Sequence, residues 1–547
     1  MVMRSGLEDL ELTRRRLFGV LCNVPFLLLG LPTPLILPSW LFAPVISICL
    51  FILPGFSWSK VLEKEKSIDL FFKIFARSIC VMVGIVVIHR LVGLPPSRLS
   101  WLLMSVLVVN LGLLRKATSR NLELLWQRYR KNHVRWISFG FACALLYSIL
   151  TVCAFRLIPP MLDHDWDSQS NAYGFIHTLT PLTVTDRGVL YYLADPPLLG
   201  FQIGLVALAK GSLNELAYHY KMAEALKATQ GIFPLESAWH VAADQSRHRF
   251  LADPHLLETR IPTLFFATAT LPILFGLLQR LTQSSTLSAI GCLLYFTFPQ
   301  ILVQSSNGGY TAMAIFFLLI IANGYLQSHR QTILWGSFFA AIAKNPQTVV
   351  LPLAIALWAG LRETRGSVLV RLRAMAVHPT LVGFFMGMVC FFVYGLVVSP
   401  PAFWQDYIRG HFLNRLLHID TGGVYPSVGS LWRQFNQVQG FPFLPLAIFC
   451  VAWMLVQTWR QHSPQGAIPL WVILGAILFS IIDWRQTKHL TYIVPALVMA
   501  TMGFIAHQRG KLRWSFLGLV GFVIFYNIWR IAGSGGDLLA LHPTGDW

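Results

Sequence analysis

The chain has 547 residues, of which 55% are hydrophobic and 12% charged, with a mean hydropathy of +0.59 and a formal net charge of +19. Such a balance excludes a soluble globule of this length and fits an all-α polytopic membrane protein. The excess of Lys and Arg lies in short connections between apolar runs, where the positive-inside rule puts it, so the charge calls for no nucleic acid.

With about 20 apolar residues needed to cross a bilayer, fewer for short helices, about 13–15 transmembrane helices are expected. The apolar runs lie near 17–31, 39–56, 73–93, 99–114, 136–156, 261–279, 285–303, 310–326, 332–343, 346–361, 379–399, 442–459, 467–482, 490–506 and 514–531. The first follows Arg14-Arg15-Arg16 as a signal peptide would, but no small-residue cleavage site follows it, and it reads as a retained helix. All eight cysteines sit inside apolar runs, which speaks against structural disulfides and a Cys-ligated metal.

Orientation follows from which connections are basic. Arg14 to Arg16, the Lys60/Lys64/Lys66 loop, Arg115 to Arg135, Arg280, Arg330, Arg362 to Arg373, Arg460 and the Arg509/Lys511/Arg513 cluster all fall on one, cytoplasmic side. Arg156–Arg260, Ser305–Tyr310, Pro400–Phe441 and Asp483–His489 fall together on the other. The alternation holds only if the 332–361 region is a hairpin broken at Lys344-Asn345-Pro346. Three units are expected: an N-terminal transmembrane module over 1–135, a membrane domain over 136–510 with external loops at 156–260 and 400–441, and a last helix with an external tail over 511–547.

The first external loop holds eleven of the 24 carboxylates and opens with Asp163-His164-Asp165-Trp166-Asp167. Carboxylates beside the membrane surface suit a general base toward a hydroxyl or amine, or a seat for a divalent cation at Asp163 and Asp165. The same cluster also fits a helix end that merely needs solvating. Further on, Tyr191-Tyr192-Leu193-Ala194-Asp195-Pro196-Pro197-Leu198 leads into 199–209, too short to span and expected to lie in the interface. Asp195 could face the same site, although an Asp-Pro-Pro turn is also an ordinary helix start.

Lys344, between apolar half-helices, calls for an anionic partner or a snorkelling route to the surface. The helix break beside it exposes backbone N–H groups suited to a phosphate. The 400–441 loop, with Trp404, Tyr407, Arg409, His411, Arg415 and Tyr425, has a mix suited to sugar stacking or to interfacial anchoring. Finally Asp483-Trp484-Arg485-Gln486-Thr487-Lys488-His489-Leu490-Thr491-Tyr492 crowds cations onto the non-cytoplasmic edge against the charge rule. A lipid phosphate or an ordinary headgroup contact would account for it.

These segments, in this order, resemble GT-C fold glycosyltransferases. They are most similar to the family 39-like branch of protein O-mannosyltransferases and bacterial aminoarabinose transferases that modify lipid A. The resemblance rests on Asp163-His164-Asp165 for an acidic pair, Tyr173-Gly174-Phe175-Ile176-His177 for a Tyr-bearing helix, and Asp195-Pro196-Pro197-Leu198 for a Pro-Pro-Leu turn. Arg260-Ile261-Pro262 then opens the next span, followed by Lys344 and by Lys488-His489 with Tyr492 and Pro495. It covers roughly 136–510. This chain departs from the pattern in Asp195 before the prolines, in lacking an adjacent Asp-Glu pair, and in an insertion over 211–258 bearing Trp239, His240, Asp244, Arg247 and His248.

The resemblance implies inverting transfer of a sugar from a polyprenyl-phosphate-linked donor to a lipid, glycan or protein acceptor. The implied place is the periplasmic or external face of a plasma membrane, with the N-terminus cytoplasmic. Asp163 or Asp165 would be the catalytic base. Asp167, Tyr173, Asp195, Arg260, Lys344, His411, Arg485, Lys488, His489 and Tyr492 would bind substrate. The branch generally works without metal, while the Asp-x-Asp spacing leaves a divalent cation open. A transporter or flippase of lipid-linked glycans shares the broken helices and buried charges, but no internal repeat relates the two halves. A noncatalytic subunit of an assembly complex is the third reading.

Overall fold

The computed structural model describes residues 20–30, 39–59, 67–114, 116–184, 188–363, 366–417, 427–481, 487–534 and 538. Among them every regular element is helical, and the sole β feature is an isolated bridge between Leu182 and Tyr191. That is what lipid demands, because a helix satisfies its own backbone where no water can. Among the described residues eight helices are long and apolar enough to cross a membrane: Ile68–Leu91, Ile137–Leu157, Leu256–Thr282, Pro379–Val398, Phe443–Gln461, Pro464–Ile481, Lys488–His507 and Gly510–Gly533. The apolar pair Ser285–Thr297 and Pro299–Ser306 is bent by 72° where Phe298 precedes a proline, and makes a ninth only if counted as one broken span. Shorter apolar helices, among them Val20–Gly30, Phe42–Trp58, Arg98–Leu113 and Thr311–Leu326, complete an integral, multi-pass bundle.

Contacts at the helix ends sort into two sets. At the basic end Thr332 Oγ1 donates to Asp69 (2.8 Å), Trp358 Nε1 donates to the Ser463 carbonyl (2.8 Å), and Arg362 lies 3.9 Å over Trp459. At the other end Arg260 meets Asp165, Lys344 meets Asp195, and Trp432 Nε1 donates to Ser480 (2.9 Å). Helix Arg330–Ala343 therefore runs from the basic end to the acidic one and Val350–Trp358 returns, so Lys344-Asn345-Pro346 is the tip of a hairpin. Helix Pro379–Val398 runs parallel to the first arm. Its Gly383 and Gly387 face Leu334 and Phe338, where a Cβ would stand 2.1 and 2.5 Å from the carbonyl oxygens. Small residues of this kind let helices in lipid gain packing contact.

The N-terminal spans are not packed apart from the rest. Phe51 stacks on Phe265 (4.4 Å) and Phe75 meets Phe316 (5.6 Å), within one continuous apolar core. The boundary expected at residue 135 falls inside the helix Lys116–Val152.

The helix after the Pro-Pro turn, Leu198–Lys210, is packed into the core. Every side chain from Leu198 to Ala209 is buried. Gly200 and Gly204 seat it against Asn171, Phe175 and Ile176, where a Cβ on Gly204 would lie 2.6 Å from the Ala172 carbonyl.

Candidate active site

The acidic cluster begins on a single π-helical turn, Leu162–Trp166, which follows the span ending at Leu157. Asp165 has no exposed surface and is fully engaged. Arg260 Nη2 and Nε donate to its two oxygens at 2.6 and 3.1 Å, and the amides of Gly308 and Met161 add bonds of 2.7 and 3.0 Å. Arg260 is equally buried and spends its other hydrogens on the carbonyls of Ile158 (2.8 Å), Pro159 (2.7 Å) and Ala154. This pair clamps the start of the loop to the next span and to the 307–311 turn. A carboxylate so surrounded by donors ties three segments together, so Asp165 anchors the loop. Among the described residues no three His, Cys, Asp or Glu side chains stand close enough to hold a metal.

Asp163 lies two residues earlier on the same turn. Asp167 opens the next one, where its carbonyl accepts from Ser170 Oγ (3.2 Å) and Asn171 Nδ2 (3.1 Å).

Lys344, at the hairpin tip, forms an ion pair with Asp195, whose other oxygen accepts from Tyr192 Oη at 2.8 Å. The ammonium also sits 4.9 Å over the Tyr310 ring. The Asp195 side chain is 5% exposed and that of Lys344 14%, so the pair is largely withdrawn from solvent. The two charge centres share one turn. Gly308 donates to Asp165, Gly309 packs on His164, and Tyr310 lies under Lys344. A Cβ on Gly308 would stand 2.6 Å from Asp165 Oδ1, and one on Gly309 3.1 Å from His164 Nδ1, so the approach needs both glycines.

The segment after helix Pro379–Val398 closes on the same place. Asp406 accepts from the Leu193 amide (2.6 Å), Tyr407 Oη donates to Asn345 Oδ1 (2.5 Å), and buried His411 stacks on Tyr407. Burial, with the charge of Asp195 behind it, pushes the Tyr407 phenol well above its ordinary pKa and keeps it a donor. From the last edge, Tyr492 comes within interaction range of Thr311 and of the Asp195 charge, and His489 stacks on Phe479 beside it.

Of the expected residues, Asp195, Lys344, His411 and Tyr492 meet around the hairpin tip, with His489 behind Phe479. Asp165 and Arg260 form the adjoining clamp. Lys488 is half-buried at the start of the last edge, and Arg485 lies outside the described residues. Tyr173 stands apart, stacked on His177 (5.0 Å) and beside Tyr220 (5.3 Å). Burial lowers the His177 pKa, helped by Arg90 and opposed by Glu224. Asp406 and the Gly308-Gly309 pair were not legible. An Asp beside Trp404 and Tyr407 has no spacing signal, and the Gly pair marks only a turn until its neighbours are known.

The insertion folds as two helices, Ala217–Gln230 and Glu236–Ala252, over the acidic turn. Ser246 Oγ bonds both Trp166 Nε1 (3.0 Å) and buried His219 (2.8 Å), while Arg247 covers the Trp166 ring at 5.2 Å. Below it, Glu258 accepts from Lys210 (2.9 Å) and Ser212 (2.5 Å) and holds His255 at 3.4 Å.

No family model and no curated protein matches the chain. Among solved structures it is similar to ArnT from Cupriavidus metallidurans bound to undecaprenyl phosphate, with 13% identity and a TM-score of 0.43 over 69% of this chain and 61% of that one. It is similar also to the apo state of ArnT, with 12% identity and a TM-score of 0.46 over 70% and 62%. The chain thus spans less than two thirds of the length of the structures it matches.

Proposed function

We propose that the protein is a GT-C-type glycosyltransferase that moves a sugar from a polyprenyl-phosphate donor to a lipid, glycan or protein acceptor on the external face. The observation that carries this reading is the Gly308-Gly309-Tyr310 turn, held by the acidic cluster at one end and lying beneath Lys344 at the other. It brings a carboxylate-bearing turn and the ammonium of Lys344 into one place, at the tip of a broken hairpin.

The chemistry asks for both. An acceptor O–H or N–H attacks the anomeric carbon, the bond from that carbon to the phosphate oxygen breaks, and the electron pair leaves with the polyprenyl phosphate. Negative charge grows on the phosphate, and a preorganised Lys344 stabilises it more as the bond breaks than before. Asp195 holds the ammonium in place until the phosphate shares it. The acceptor proton goes to a carboxylate, and because Asp165 is engaged by Arg260, Asp163 is assigned as the base. Attack opposite to the leaving phosphate inverts the sugar. Lys488 and His489 flank the phosphate, and His411 faces the sugar, its ring held by stacking on Tyr407.

Free polyprenyl phosphate is then a product inhibitor held by Lys344. Lys344→Ala is expected to weaken that inhibition at least tenfold and Lys344→Arg to restore part of it, the scale of one charge-assisted contact of about 1.5–3 kcal/mol. Inhibition unchanged in Lys344→Ala would remove Lys344 from the phosphate site.

A further inference from the structure

At the basic end of the bundle, far from the site above, helices Ser285–Thr297 and Gly510–Gly533 diverge and leave a cleft of about 460 Å³. Its polar wall is Arg509, Arg513 and Gln508, its floor Leu287, Ile290 and Leu517, and Trp514 stands at its edge, 73% exposed. No carboxylate lines it, and the segments that build it, 259–362 and 484–536, contain no Asp or Glu at all. Neither arginine makes an ion pair among the described residues. Ser284 caps the first helix by accepting from the Leu287 amide, whereas the second begins at Arg509 with no side-chain cap. The first-turn amides of the second helix thus add partial positive charge beside the two guanidinium groups.

We propose that this cleft binds an anionic phospholipid, with the headgroup phosphate between Arg509 and Arg513 and an acyl chain along Leu287, Ile290 and Leu517. A membrane lipid is favoured over a soluble anion because the arginines stand at the first turn of a span, directly above an apolar floor. Trp514 occupies the headgroup level, where indoles concentrate. Arginine rather than lysine suits the phosphate, since its planar fork bonds two oxygens at once. The site lies at the opposite end of the bundle from the Lys344 constellation, so it stands or falls independently of the transferase reading.

The test is thermal stability of the full-length protein in detergent, titrated with dioleoyl-phosphatidylglycerol, with dioleoyl-phosphatidylcholine, or with inorganic phosphate alone. Phosphatidylglycerol is expected to raise the Tm saturably, and Arg509→Gln and Arg513→Gln are each expected to weaken its apparent affinity about fivefold, with the double variant weaker still. Lys511→Gln removes the same charge from the same turn outside the cleft, and is expected to leave the affinity within about twofold. Equal stabilisation by phosphatidylcholine, or by inorganic phosphate, would overturn the proposal. So would a Lys511→Gln variant as impaired as the arginine ones, which would mean diffuse surface attraction.

Discussion

A carboxylate with no exposed surface, such as that of Asp165, persists in a fold only when every lone pair is met. Arg260 and the amides of Gly308 and Met161 do this, and Arg260 in turn satisfies three carbonyls at the end of the preceding span. Removing one partner strands the other as an uncompensated buried charge. Arg260→Ala is therefore expected to cost about 3–5 kcal/mol of stability, read by thermal or denaturant unfolding. A loss below about 1 kcal/mol, the range of exposed pairs, would show that the clamp is not structural. The Asp-x-Asp cluster and Lys344 were legible because charge is costly in an apolar chain. Their partners were not, because Asp165 and Arg260 are 95 residues apart and Asp195 and Lys344 are 149 apart. No local periodicity encodes such a pairing.

Among the elements, the broken hairpin was legible from the alternation of basic connections, a global constraint that a single residue could not supply. The helix over 198–210 was legible as an apolar run too short to span, while its burial on every side depends on partners such as Asn171 and Phe175 that the run itself does not name. The insertion had no readable role, since its inward residues, Trp239, Ser246 and Phe250, look like any amphipathic helix until Trp166 is found beneath them. That contact makes a prediction. Burial, then the charges of His255 and Arg249, lowers the His219 pKa from 6.5 to about 4. Between these values the unfolded state binds a proton that the folded state does not, so stability is complete above about pH 6.5, falls as pH drops, and levels off below about 4. Hydrogen exchange of the 217–252 amides, corrected for intrinsic rates, should lose protection across that window. His219→Gln should flatten the dependence. A wild-type profile that is flat from pH 7 to pH 4 would contradict a buried neutral imidazole.

Across the whole molecule, two faces are distinguished by chemistry. One gathers Asp165, Asp195, Asp406 and Lys344, and the other carries Arg280, Arg330, Arg362, Arg460, Arg509 and Arg513. If the basic face is cytoplasmic, an exposed cysteine at Val241→Cys should react with an impermeant maleimide in intact cells and one at Leu369→Cys only after permeabilisation; both positions are exposed. The reverse pattern would turn the molecule over and place the proposed site inside. The central claim is that the acidic face transfers a sugar from a lipid phosphate. It is tested most directly by reconstituting the purified protein with radiolabelled polyprenyl-phosphate sugars and membrane extract as acceptor, comparing wild type with Asp163→Asn. The account predicts label in the acceptor and release of polyprenyl phosphate by wild type, and a fall of at least about a hundredfold for a correctly folded Asp163→Asn. Movement of intact labelled lipid between leaflets, without transfer from any donor, would contradict it and make the protein a flippase.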